Sequence, residues 1–156
     1  MPIQEALALC PQAVVVEGNP AKYADIFRQV VQLMERYSPV LEVYSIDEAF
    51  LELTPTAARF GGPLAVAHEL QREVHERLDL SCSIGVGPNK LLAKLASSRK
   101  KPSGIMQVLP EDIERVLADL PIEELCWIGP AFQAALNAQG ITTCGELARV
   151  PVERLI

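Results

Sequence analysis

Little in the sequence would place the chain in a membrane or outside a cell. No apolar run approaches the roughly 18 residues of a membrane-spanning helix. The first residues carry no basic patch leading into an apolar stretch, so a secretory signal is not expected. Cysteine is sparse: Cys10, Cys82, Cys126 and Cys144 stand far apart with no C-x-x-C pair. That spacing suits neither a zinc site nor a disulfide framework, and free thiols fit a reducing, intracellular compartment. What is present is a chain of 156 residues, 49% hydrophobic and 22% charged. This is apolar matter enough for a packed core, in one ordinary domain or one and a half small ones, and it excludes overall disorder.

Acid is missing from one long window. Between Leu80 and Pro110 there is no Asp or Glu, while Lys90, Lys94, Arg99, Lys100 and Lys101 give that segment a charge of +5. The chain as a whole carries −6, so the remainder stands at −11. The total argues against nucleic acid as a partner, and the distribution argues for one anion-binding segment on an acidic body. A solvated helix face reads the same way.

Patterning predicts the elements. Ile3–Cys10 reads as a short helix stopped by Pro11, and Ala13–Glu17 as a buried β-branched strand closed by Gly18-Asn19-Pro20. Tyr23, Ile26, Phe27, Val30 and Met34 recur at helical spacing and predict a helix ending near Pro39. Val40–Leu53 is too long for one strand and predicts a hairpin. A helix opening at Pro63, a strand over Ser81–Val86, a helix from Pro88 to about Arg99 and a strand over Gly104–Val108 follow. After Pro110 only short helical patterns remain (Glu111–Leu120, Pro130–Ala138, Thr143–Val150), separated by Pro and Gly. The expected organisation is an α+β part over 1–108 and a small all-helical part over 109–156.

Three places carry chemistry. Asp47 and Glu48 interrupt an apolar hairpin. Adjacent strand residues face opposite ways, so the two carboxylates converge only if the turn falls near Ser45–Glu48. Two hard oxygen donors at a sheet rim suit Mg²⁺ with substrate phosphates, and acids are equally good turn residues in water. Gly85-Val86-Gly87-Pro88-Asn89-Lys90 is a glycine-bearing strand-to-helix turn of the kind that presents N–H groups to phosphate, without the spacing of a nucleotide-binding P-loop. Lys90 and Lys94 lie one turn apart behind it, and Lys101, before Pro102, leaves the helix where an ammonium reaches a phosphate. Ile128-Gly129-Pro130, with Gly140 beyond, reads as a helix–turn–helix hairpin, either structural or gripping a nucleic-acid backbone through turn N–H groups. His68 and His75 have no third ligand nearby and read as surface residues.

Together these segments form a pattern. Tyr44-Ser45-Ile46-Asp47-Glu48-Ala49-Phe50-Leu51, then Ser83-Ile84-Gly85-Val86-Gly87-Pro88-Asn89-Lys90 with Leu92-Ala93-Lys94-Leu95-Ala96-Ser97, then Lys101-Pro102-Ser103-Gly104, resemble the Y-family translesion DNA polymerases of bacterial type, in order and in spacing. The resemblance runs over essentially the whole chain. It implies an α+β fold: a partial ferredoxin-like polymerase palm (1–108) followed by a helical thumb (109–156) with a helix-hairpin-helix-like element. It implies two Mg²⁺ ions aligning a primer 3′-hydroxyl with an incoming dNTP. Asp47 then matches a metal-binding aspartate, Glu48 its acidic neighbour and Lys101 a lysine on the triphosphate. Lys90, Lys94, Ile128 and Gly129 are the expected DNA contacts. The implied partners are primer–template DNA, dNTP and, through regions outside this chain, a sliding clamp; the implied location is the bacterial cytoplasm, at the nucleoid, with no membrane.

Departures accompany the match. The family begins with a strand bearing another metal-binding aspartate and with small fingers, and a further DNA-gripping domain follows its thumb. Met1 matches an internal position, so an interior fragment or a mis-called start is expected, inactive on its own. Trp127 stands where the thumb turn usually has glycine, and its ring is expected to pack inward against Leu125 and Leu136. The alternatives are a non-catalytic DNA-binding or accessory remnant of such a polymerase and, far behind, an unrelated ferredoxin-like Mg²⁺ enzyme such as a cyclase.

Overall fold

A computed structural model describes residues 1–154. Helix α1 (Ile3–Leu9) is followed by an irregular segment and then by α2 (Pro20–Glu35). The Asn19 side chain caps α2 by accepting the Lys22 N–H at 3.0 Å, and Pro20 occupies the first position, where no N–H is needed. Strands β1 (Leu41–Val43) and β2 (Ala49–Leu51) form the predicted hairpin, antiparallel with Glu42 opposite Phe50. Helix α3 (Pro63–Leu78) starts from Gly61 and Gly62, both at positive φ, and stops at Asp79 in the left-handed region. Strand β3 (Ile84–Val86), helix α4 (Lys90–Arg99) and strand β4 (Ile105–Gln107) make a β-α-β crossover with the two strands parallel. Helices α5 (Ile113–Leu117), α6 (Pro130–Ala138) and α7 (Cys144–Ala148) close the described chain, with one isolated bridge between Pro121 and Thr143.

Two sequence expectations change. Ala13–Glu17 forms no strand, and Val14, Val15 and Val16 are exposed to solvent. β-Branched residues favour a pleated, half-buried surface only where a ladder partner exists, and among the described residues this run has none. Pro88 does not open α4. Asn89, extended at φ −152°, takes the cap and accepts the Leu92 N–H at 2.9 Å, leaving Pro88 outside the helix.

The apolar interior forms two clusters. Leu33, Met34 and Tyr37 of α2 and its end pack with Val66, Leu70 and Val74 of α3, and β2 and β3 contribute Ala49, Leu51 and Ile84 at the margin. The second cluster joins Leu92, Leu95 and Ala96 of α4 to Val108, Leu120, Ile122, Leu136, Ile141 and Cys144. One face of α4 thus packs into the C-terminal helices while the helix also covers β3 and β4. Each fully buried leucine stabilises this arrangement by about 1.5–3 kcal/mol. Gly85 and Gly87 exist for this packing: a Cβ at Gly85 would lie 1.8 Å from the Ala93 carbonyl oxygen, and one at Gly87 2.8 Å from the Ala93 nitrogen.

The four strands make two separate two-stranded sheets, so β2 and β3 each keep an open edge. Beside those edges lies a hollow of about 480 Å³, floored by Val30, Met34, Leu70 and Val74.

Candidate active site

The rim of that hollow brings together Asp47, Glu48, Lys94 and Lys101. The two acids reach it because they leave the strand. The Tyr44 and Ser45 N–H groups both donate to the Glu48 carbonyl, at 2.9 and 3.1 Å, closing a turn over 44–48 in which neighbouring side chains no longer alternate. The Ser45 hydroxyl donates to Asp47 Oδ1 at 2.5 Å and fixes that carboxylate on the exposed side of the turn. Glu48 is half-buried, and both of its oxygens accept from Lys94 Nζ at 2.6 Å.

Lys94 reaches across because Leu92, Leu95 and Ala96 lock α4 into the core and leave the 90/94 face toward the hairpin. Lys90, one turn earlier, pairs with Glu42 of β1 and lies 5.9 Å from the Phe50 ring centroid. Arg99 pairs with Glu124 at 3.7 Å. Three of the five basic residues in the acid-free window are therefore neutralised by acids from elsewhere. Lys100 and Lys101 have no acidic partner among the described residues and are exposed. Lys101 leaves the helix as expected, since α4 ends at Arg99.

Ile128 and Gly129 lie apart from the hollow, at the entry to α6. The Ile128 N–H donates to the Leu125 carbonyl at 3.1 Å and its side chain packs on the core, so it shapes the turn. Gly129 is the cap residue at φ −83°, and a Cβ there would meet nothing within 4 Å. Neither packing nor backbone conformation asks for glycine at that position.

Trp127 does not pack inward. It holds φ +74°, is 56% exposed, and its indole N–H donates to the Tyr44 hydroxyl at 2.7 Å. The left-handed backbone turns its side chain away from Leu136 and toward the hairpin, where the Tyr44 ring meets it edge-on at 6.4 Å between centroids. The sequence contained no sign of this tie, nor of the pairing of Glu48 with Lys94. The Lys90/Lys94 repeat on one helical face and the acids at Glu42 and Glu48 were visible, but their register was not.

The donor set suits a divalent cation in kind. Two carboxylates share one rim, and one of them already holds a cation, the Lys94 ammonium. In number it is short of two ions: among the described residues no group of three or more His, Cys, Asp or Glu side chains is placed to hold a metal. His68 and His75 are exposed on α3, as expected.

Residues 1–98 match the impB/mucB/samB family, and the chain belongs to that family. It is 38% identical over 156 residues to the DNA polymerase IV of Moorella thermoacetica and 40% identical over 156 residues to that of Streptococcus mutans. All of this chain is matched, against 39% and 42% of theirs, so it spans about two fifths of the length of the curated relatives. Among solved structures, DinB from Sulfolobus solfataricus superposes with a TM-score of 0.89 at 29% identity, over 99% of this chain and 46% of that one. The insertion ternary complex of Dbh DNA polymerase gives 0.90, also at 29% identity, over 99% and 45%. The fold is that of Y-family DNA polymerases, as the motif strings implied. Among the described residues no helix is long and apolar enough to cross a membrane.

Proposed function

We propose that this chain is the palm, over 1–108, and the helical thumb, over 109–156, of an error-prone translesion DNA polymerase that adds dNTPs to a primer opposite damaged template. One observation carries the reading: the adjacent acids Asp47 and Glu48 and the distant Lys101 line a single hollow at the open edge of two sheets. Asp47 and Glu48 would hold Mg²⁺, which prefers one or two carboxylates together with substrate phosphates. Bound there, the metal would polarise the phosphoryl group and lower the pKa of the attacking hydroxyl. Lys101, exposed and without an acidic partner among the described residues, offers its ammonium to the triphosphate, and its contact strengthens as charge builds on the leaving phosphates. Gly129, with no steric or conformational demand of its own, leaves the N-terminus of α6 open to a phosphate of the DNA backbone. Lys90 and Lys94, paired with Glu42 and Glu48 in the chain alone, would be contacts to the DNA.

Among the described residues the carboxylates brought together are too few for two ions, so primer extension by this chain alone is not expected. The test is a chimera in which the chain replaces the matching span of the Moorella thermoacetica DNA polymerase IV. Single-nucleotide incorporation should be retained, and Asp47→Asn should reduce it on the order of a thousandfold, the weight of a metal ligand in such chemistry. DNA binding without incorporation, unchanged by Asp47→Asn, would place the chain with the non-catalytic alternative.

A further inference from the structure

Both oxygens of Glu48 are already occupied by a cation that belongs to the chain. Lys94 Nζ lies 2.6 Å from each, and the Lys94 side chain is only 20% exposed. A divalent ion on Glu48 would stand about 2.0–2.1 Å from one of the same oxygens. Two cations cannot share that space, because their mutual repulsion in a partly desolvated site is strong. The ammonium already has a second partner. It sits 4.9 Å from the centroid of the Tyr44 ring, whose face attracts a cation. That ring is held on two sides, by the Trp127 hydrogen bond at 2.7 Å and by the edge of Phe50 at 5.8 Å. The helix cannot withdraw the lysine far, since Leu95 and Ala96 beside it are buried.

We propose that Lys94 is a built-in competitor of the divalent cation: it neutralises Glu48 when no metal is bound, and gives up Glu48 while keeping the Tyr44 ring when Glu48 takes the metal. The inference rests on reading Asp47 and Glu48 as a metal site. Its consequence is that metal affinity is set by an exchange of cations, and that the Tyr44–Trp127 pair, which links the hairpin to the turn before α6, feels the exchange.

The experiment is a Mn²⁺ titration of the 156-residue chain, read from the electron paramagnetic resonance signal of free Mn²⁺, for the natural sequence, Lys94→Gln, Lys94→Arg and Glu48→Gln. Circular dichroism melts check that each variant is folded. Lys94→Gln should bind Mn²⁺ at least about fivefold more tightly, the low end of coupling between two ligands. Lys94→Arg, which keeps the charge, should not show that gain, and Glu48→Gln should lose binding. Mg²⁺ should also shift the Tyr44 ring resonances in the natural sequence more than in Lys94→Gln. Equal Mn²⁺ affinity for the natural sequence and Lys94→Gln, or weaker binding by Lys94→Gln, overturns the exchange and leaves the metal site standing. No binding by either, with both folded, overturns the metal site and the exchange together.

Discussion

The indole N–H of Trp127 donates to the hydroxyl of Tyr44 across 83 positions of sequence. The contact fastens the turn ahead of α6 to the hairpin that carries Asp47 and Glu48, and it does so from a residue at φ +74°, a conformation costly for a bulky side chain. The turn therefore stores strain, which the tie across to Tyr44 helps to offset.

Replacing that residue separates the two effects. Trp127→Ala loses the tie and keeps the left-handed backbone, whereas Trp127→Gly loses the tie and relieves it. The glycine variant should be the more stable of the two by about 1 kcal/mol, even after the entropy glycine costs on folding. Urea denaturation of both variants measures the difference; an alanine variant at least as stable as the glycine one would contradict the strain.

The close approach of α4 to β3 makes a steric prediction. Gly85→Ala drives a methyl into the Ala93 carbonyl, and backbone on both sides must move. Overpacking of this kind costs about 1–3 kcal/mol and sometimes more, so a fall in the thermal midpoint or loss of a cooperative melt is expected. Gly129→Ala, with open space around its Cβ, should melt like the natural sequence and weaken DNA binding.

Acid should unfold the chain partly through Glu73. Its carboxylate is buried on α3 and accepts from Tyr37 at 2.9 Å, Arg77 at 3.2 Å and Arg36. Burial alone would raise its pKa, but the Arg36 and Tyr37 hydrogen bonds together with the charges of Arg36 and Arg77 outweigh burial and hold it below the usual glutamate range. A carboxyl depressed in the fold contributes stability above its unfolded value of about 4.3, and that stability is lost as pH falls through the folded value. Glu73→Gln should lower stability by about 1–3 kcal/mol at neutral pH and flatten its decline below pH ~4.3. Tyr37 supplies the alkaline counterpart. Burial, with the Glu73 hydrogen bond, pushes its pKa up to about 12. Stability should then fall as pH rises above about 10. Denaturant midpoints across pH test both arms.

Binding to primer–template DNA should be weak, indifferent to sequence and steeply dependent on salt, as contacts to a phosphate backbone are. Lys100 and Lys101 are free of acidic partners among the described residues, whereas Lys90 holds Glu42. Lys100→Ala should reduce the slope of log affinity against log salt by about 1, and Lys90→Ala by less. Fluorescence anisotropy at several salt concentrations decides the order.

Local structure was readable wherever neighbours a few residues apart control it. The hairpin turn at 44–48, the exit of Lys101 from its helix and the start of α7 at Thr143, whose side chain accepts the Glu146 N–H at 3.1 Å, all follow from residues within one turn of each other. The motif strings pointed to the family for the same reason: they are contiguous. The start of α4 was misread because two good opening residues, Pro88 and Asn89, stand side by side, and the side-chain acceptor on Asn89 took the cap.

The amino-acid sequence by itself determined the helices, the hairpin, the placing of two acids at its tip and the concentration of positive charge between Leu80 and Pro110, because propensity, capping and charge are local properties. Only the tertiary structure decided which of those charges meet. Ala13–Glu17 has the composition of a strand and remains irregular, since a ladder needs a partner that sequence cannot supply alone. Glu48 meets Lys94 across 46 residues because the two apolar clusters fix α4 over β3 and beside the hairpin. Trp127 reaches Tyr44 because a left-handed turn aims it there. Those distances are set by packing summed over the whole chain, and no window of the sequence contains that sum.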